Sequence, residues 1–150
     1  WTFPNVLEFT QWRIYVTASS ASGYAVSVAA VEAYLLSGFG YYSGSAMTLL
    51  SAPSVSVSSA PSHIDAYFLW KDDSGTAVLG TDLTVELSRD GGTTWTSAAP
   101  SNFVSYDGSY SIIKARASVG SQPSGTSMNV RIKTLNNKVQ RVAAVTLYAE

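Results

Sequence analysis

With 150 residues, of which 46% are hydrophobic and 13% charged, the chain can bury one ordinary core and part of a second. A formal charge of −1 and a pI near 5.8 argue against an electrostatic grip on nucleic acid or an anionic membrane, and no apolar run approaches the roughly 20 residues of a spanning helix. The absence of cysteine removes disulfides and thiolate zinc sites together, so a soluble protein assembled in a reducing cytosol and stabilised by packing or oligomerisation is expected. The sequence opens at Trp1 without a charged-then-apolar leader and is expected to be the ordered part of something longer.

In chain order, Trp12, Ile14 and Val16 alternate with Arg13, Tyr15 and Thr17 as in a half-buried strand. Residues 25–36 fit either an amphipathic helix, with Val28, Val31 and Leu35 on one face, or a strand; the flanking Ser-Gly signals favour the strand. Residues 43–61 are uncharged, rich in Ser and Ala, and broken by Pro53 and Pro61. They read as a boundary or a loosely patterned edge strand around Val55 and Val57. The resulting division places an N-terminal strand or hairpin segment at 1–44, too small to fold alone and readable as the end of a preceding domain, before a β-sandwich domain at 45–150.

Period-2 alternation then recurs: Ile64, Ala66, Phe68 and Trp70; Leu83, Val85 and Leu87; Ile113, Ala115 and Ala117; Val130 and Ile132; Val145 and Leu147. Turn signals separate these runs at Asp72-Asp73-Ser74-Gly75, Asp90-Gly91-Gly92, Tyr106-Asp107-Gly108, Pro123-Ser124-Gly125 and Asn136-Asn137. The predicted fold class is all-β, an antiparallel, jelly-roll-like β-sandwich.

One segment reads as a motif. The strand pattern ending at Ser88 runs into Asp90-Gly91-Gly92, a composition that needs positive φ, and then Trp95. There a carboxylate can accept backbone N–H groups a few residues on while the aromatic folds over the turn. The segment resembles the Asp-box, Ser-x-Asp-x-Gly-x-Thr-Trp, at every defined position: Ser88, Asp90, Gly92, Thr94 and Trp95. In sialidase-type propellers the box recurs once per blade, away from the catalytic centre, so the resemblance implies a structural turn. The chain itself is too short for a propeller and carries no second box and no period of roughly 40 to 50 residues.

Two further resemblances bear on function. Trp12-Arg13-Ile14-Tyr15-Val16, then Val28-Ala29-Ala30-Val31-Glu32, resembles the closing strands of discoidin-like jelly rolls, with the sugar-binding loops of that family absent. The series Thr81-Asp82-Leu83, Ser88 to Trp95, Gln122 to Met128 and Arg131 to Asn136 resembles a β-sandwich module of tailed-bacteriophage structural proteins, such as head and tail fibres. That resemblance covers about two thirds of the chain. It implies a virion surface protein assembled in the host cytoplasm, decorating a capsid or forming part of a fibre, self-associating as a homotrimer and touching other virion proteins.

Candidate chemistry is sparse. His63 could join Asp65 and a serine in a relay, but a strand-edge histidine is the better reading. Asp72 and Asp73 lack the spaced carboxylates of a calcium loop, and no metal or other cofactor is expected. Residues 65–90 hold six acids against Lys71 and Arg89, whereas residues 114–141 hold six bases and no acid. This suggests either complementary docking faces or mixed-charge strand faces. Tyr106, Asp107, Tyr110 and Asn136, in loop-like sequence, are the candidate glycan contacts. The expected function is a non-enzymatic virion structural protein; the alternative is a carbohydrate-binding adhesion module recognising a host surface polysaccharide.

Overall fold

The computed structural model describes residues 34–35, 42–44, 46–50 and 54–150, and every regular element among them is a strand. They are β1 (Tyr34–Leu35), β2 (Tyr42–Gly44), β3 (Thr48–Leu50), β4 (Val55–Ser56), β5 (His63–Asp72), β6 (Leu83–Ser88), β7 (Thr96–Ser105), β8 (Ser111–Ser118), β9 (Ser127–Thr134) and β10 (Gln140–Ala149). The strand expected at 12–17, most of the ambiguous 25–36 segment and most of the 1–44 segment lie outside the described residues. Of that segment, β1 and β2 both pair antiparallel with β10.

All strand pairings are antiparallel, and they form two layers of one sandwich. In the first sheet β10, β5 and β8 are neighbours, with the later part of β7 beyond them; in the second, β9 lies between β6 and β3. The alternation legible in the sequence is what builds the core. Ile64, Ala66 and Phe68 of β5 and Ile113 and Ala115 of β8 face Leu83, Val85 and Leu87 of β6 and Met128, Val130 and Ile132 of β9, all fully or almost fully buried. Truncating Phe68 to Ala at this centre would cost about 3–5 kcal/mol.

Strand β7 joins the layers. Residues 96–98 pair with β6, and residues 99–105 pair with β8. The sequence pattern predicts no strand there, because a strand that changes sheets and is exposed over 101–105 needs no period-2 hydrophobic run.

The connections segregate to two ends. One end gathers 73–82, the β7–β8 turn and the β9–β10 turn, tied by Asp73 N–H to Val139 O and by Leu135 N–H to Asp82 O. The β9–β10 turn uses Asn136 and Asn137 at φ 57° and 55°, and Lys138 N–H donates to Leu135 O at 3.2 Å, as a two-residue primed turn requires. The other end gathers 89–95, 119–126 and 57–62.

Candidate functional site

The motif turn at 88–95 is a closed hydrogen-bonded unit. The Ser88 hydroxyl donates to Asp90 Oδ1 at 2.7 Å and accepts the Gly92 N–H at 2.9 Å, and the same carboxylate oxygen accepts the Thr94 N–H at 2.9 Å. The Thr94 amide first, and the Ser88 hydroxyl second, lower the pKa of Asp90 to about 2. Gly92 adopts φ 84°, and a Cβ there would lie 3.2 Å from the Trp95 ring folded over the turn. Trp95 in turn lies under the Arg131 guanidinium, 4.5 Å from its ring centroid. Ser88, Asp90, Gly92, Thr94 and Trp95 thus each have a role inside the turn.

Arg89, at a variable position of the motif, is the residue sequence reasoning passes over. Its side chain is buried and meets carbonyls alone: Nε donates to Pro123 O at 3.1 Å, Nη1 to Pro61 O at 2.9 Å, and Nη2 to Gly120 O at 2.9 Å and to Gln122 O. Gln122 completes the clamp, donating to Leu87 O and Thr96 Oγ1. Five donors in a fixed fork suit a guanidinium to gathering several loop carbonyls. Nothing in the spacing of the sequence signals this, since the partners lie in two loops about 30 residues away on either side.

The segregated charges meet across strand pairs. Asp65 on β5 accepts from Arg116 on β8 at 3.1 Å, with Lys114 at 3.5 Å, and Arg116 also reaches Glu150. Glu86 on β6 holds Arg131 and Lys133 on β9 at 2.6 and 2.8 Å, and Asp73 holds Lys71 and Arg141. The acid-rich strands are direct neighbours of the base-rich ones, so the two stretches interleave rather than form separate docking faces.

The four candidate glycan contacts lie at one end of the sandwich. Tyr106 is 63% exposed. Asp107 is committed to the turn, accepting the N–H groups of Ser109 and Tyr110 at 2.9 and 2.8 Å; the Tyr110 amide foremost holds its pKa below the ordinary aspartate value. Tyr110 is half-buried. Asn136 turns toward another loop, where its amide donates to Asp82 Oδ1 at 2.8 Å. Tyr106 is therefore the aromatic member of the set with a large free surface.

Register adds what the sequence does not disclose. On β5 the core-facing Ile64, Ala66 and Phe68 alternate with Asp65, Tyr67 and Leu69, which lie on the opposite, outer face of the first sheet with their β8 partners Arg116, Lys114 and Ile112. On β7, Ser101 pairs with Lys114, Asn102 with Ile113, and Val104 with Ile112, so Phe103 is the extra residue of a bulge. A bulge sets two residues against one, which puts Phe103 and Val104 together on the outer face and reverses the parity of the residues beyond them. Tyr106, bonded through its N–H to Tyr110 O, consequently shares that face. In a regular strand Phe103 and Tyr106 would point to opposite sides.

The resulting stripe is exposed at Phe103 (62%), Val104 (47%) and Tyr106. Phe103 stands edge-on to Tyr67, centroids 5.8 Å apart at 77°, and Lys114 Nζ lies 5.4 Å from the Tyr67 centroid. The contact with Tyr67, with the charge of Asp65 behind it, raises the Lys114 pKa. From the rings the face therefore passes directly into the Lys114, Asp65 and Arg116 group. Asp65 is buried, and its Oδ1 has no hydrogen-bond partner.

Other candidate chemistry is differently placed. His63 Nδ1 lies 3.0 Å from the Ser62 hydroxyl, and the Asp65 carboxylate is taken by Arg116 and Lys114, so the three do not form a relay. Asp72 spends both oxygens on the Ser74, Gly75 and Ala77 N–H groups, and Asp73 is paired with Lys71 and Arg141. Among the described residues no group of three or more His, Asp or Glu side chains is placed to hold a metal.

No protein-family model and no curated protein matches the chain. Among solved structures, it is similar to the CBM22-1 xylan-binding domain of Xyn10C from Paenibacillus barcinonensis, at 11% identity over 73% of this chain and 85% of that one, with a TM-score of 0.35.

Proposed function

We propose that the protein is a non-enzymatic glycan-binding module that holds polysaccharide on the outer face of its first sheet, at the β7–β8 end. The observation that carries this reading is the bulge at Phe103, which places three exposed apolar side chains, two of them aromatic, on one face beside a hydrogen-bonding charged group. Aromatic rings suit the apolar faces of sugars, while lysine, arginine and carboxylate groups suit their hydroxyls.

The same strand argues against a protein strand as the occupant. Among the described residues, 99–105 of β7 pair with β8 on one side only, yet Pro100 offers no N–H and the bulge kinks the edge. Both devices discourage addition of another strand. Exposed rings on a blunted edge are therefore suited to side-chain contact with a non-protein ligand. The fibre or capsid setting implied by the phage resemblance would give such a module a place, as a host-attachment element, without supplying its chemistry.

The test is affinity electrophoresis of the purified chain through gels containing individual polysaccharides, with Phe103→Ala alongside. Retardation of the unmodified chain and its loss in the variant are expected. Equal mobility of both proteins in every gel would overturn the reading.

A further inference from the structure

We infer that the ligand is a linear, uncharged glycan held along its length over several sugar units, lying from Tyr106 past Phe103 to Lys114 and Arg116. The inference rests on the glycan-binding reading and specifies the class of glycan.

Length comes from the register. Tyr106 lies opposite Tyr110, and from Tyr110 to Arg116 the β8 strand advances six residues, about 20 Å at the rise of an antiparallel strand. That path is longer than one sugar ring. It is also a strand face bordered, among the described residues, by the unpaired side of β7, not a closed pocket that would take a chain end. The apolar contacts lie at one end and the hydrogen-bonding groups at the other, so a ligand using both must reach across.

Neutrality comes from the ion pairs. Lys114 and Arg116 both attend Asp65, and Arg116 also attends Glu150. A carboxylate or sulfate group arriving here would have to compete with carboxylates already in place. The Asp65 oxygen that lacks a donor instead complements a ligand rich in hydroxyls, which both donate and accept. Lys114 and Arg116 are partly exposed and long enough to make way for such a group.

The experiment is calorimetric titration of the intact chain with an oligosaccharide ladder, from monosaccharide to hexasaccharide, cut from whichever neutral polymer retards it most, beside a polyuronate of similar length. Affinity is expected to climb about tenfold or more along the ladder and to change little with added salt, because no net charge is neutralised. Tyr106→Ala, an exposed position, should flatten the climb. A monosaccharide that binds as tightly as the longest oligomer would overturn the inference, as would preference for the polyuronate that disappears in salt; both outcomes leave glycan binding standing. Retardation by no glycan at all would overturn this inference and the underlying reading together.

Discussion

The Gln122 side chain accepts the main-chain N–H of Arg89 at 2.9 Å while the Arg89 guanidinium donates to the Gln122 carbonyl, so two residues 33 apart in sequence grip each other in both directions. This reciprocal hold fastens the 119–126 loop to the motif turn. Arg89→Ala would leave several loop carbonyls without their donor, at a cost of about 3 kcal/mol or more, and Gln122→Ala about 2 kcal/mol. Urea midpoints at constant m-value are the check; a shift below about 1 kcal/mol for Arg89→Ala would contradict the role assigned to it.

Gly125 is predicted to tolerate no side chain. A Cβ there would collide with the Arg89 carbonyl oxygen and lie 2.9 Å from Asp90 Cα, both of them backbone and unable to swing aside. Gly125→Ala should lower stability by about 1–3 kcal/mol, the usual range for overpacking. Gly108→Ala meets open space, and its effect should come from its φ of 80° alone.

Acid should loosen the motif turn. Asp90 titrates at about 2 in the folded chain against an ordinary 3.8, so its ionised form is favoured by folding. The stability it contributes is present above pH 3.8 and is lost as pH falls from there through about 2. Thermal midpoints measured across that interval should fall less steeply in Asp90→Asn than in the unmodified chain. Parallel slopes would show that the carboxylate is not held as described.

The bulge itself can be tested by removing a residue. Deletion of Val104 should restore a regular register in which Phe103 pairs with Ile112 and, now two residues from Tyr106, still shares the outer face with it. Glycan affinity should therefore fall in the deletion by no more than in Val104→Ala, which loses only a methyl-bearing contact. A loss about tenfold greater in the deletion would mean that the bulge geometry, and not the shared face alone, sets the site.

Restoring a donor to the open edge should promote association. Pro100→Thr supplies the missing N–H to residues 99–105, and light scattering over a concentration series should report a mass that rises more steeply than for the unmodified chain.

The core was legible because it largely obeys one rule: in β5, β6, β8 and β9 the inward positions keep to period 2, and it is broken in β10, where a bulge sets buried Val142 and Val145 three residues apart. The turn at Ser88–Trp95 was legible because each of its defined side chains acts within eight residues of sequence. Strand β7 was not, since it divides its pairing between two sheets and carries Pro100 and an inserted residue. The outer-face stripe escaped for the same reason. Phe103 and Tyr106 fall on one face only through the bulge, which is a property of the pairing with β8 and not of the local sequence. Asn136 adds a contact that its loop sequence does not disclose: its side-chain amide donates to Asp82 across two turns.

The interleaved ion pairs also bear on how the chain is made. Synthesis delivers β5 and β6, with their carboxylates, before any of the basic strands that neutralise them, and the paired bases on β8, β9 and β10 come 45 to 68 residues later. Residues 1–110 carry nine acidic side chains against three basic ones, and the pairing of β8, β9 and β10 with β5 and β6 balances that excess as the same strands bring the apolar faces together.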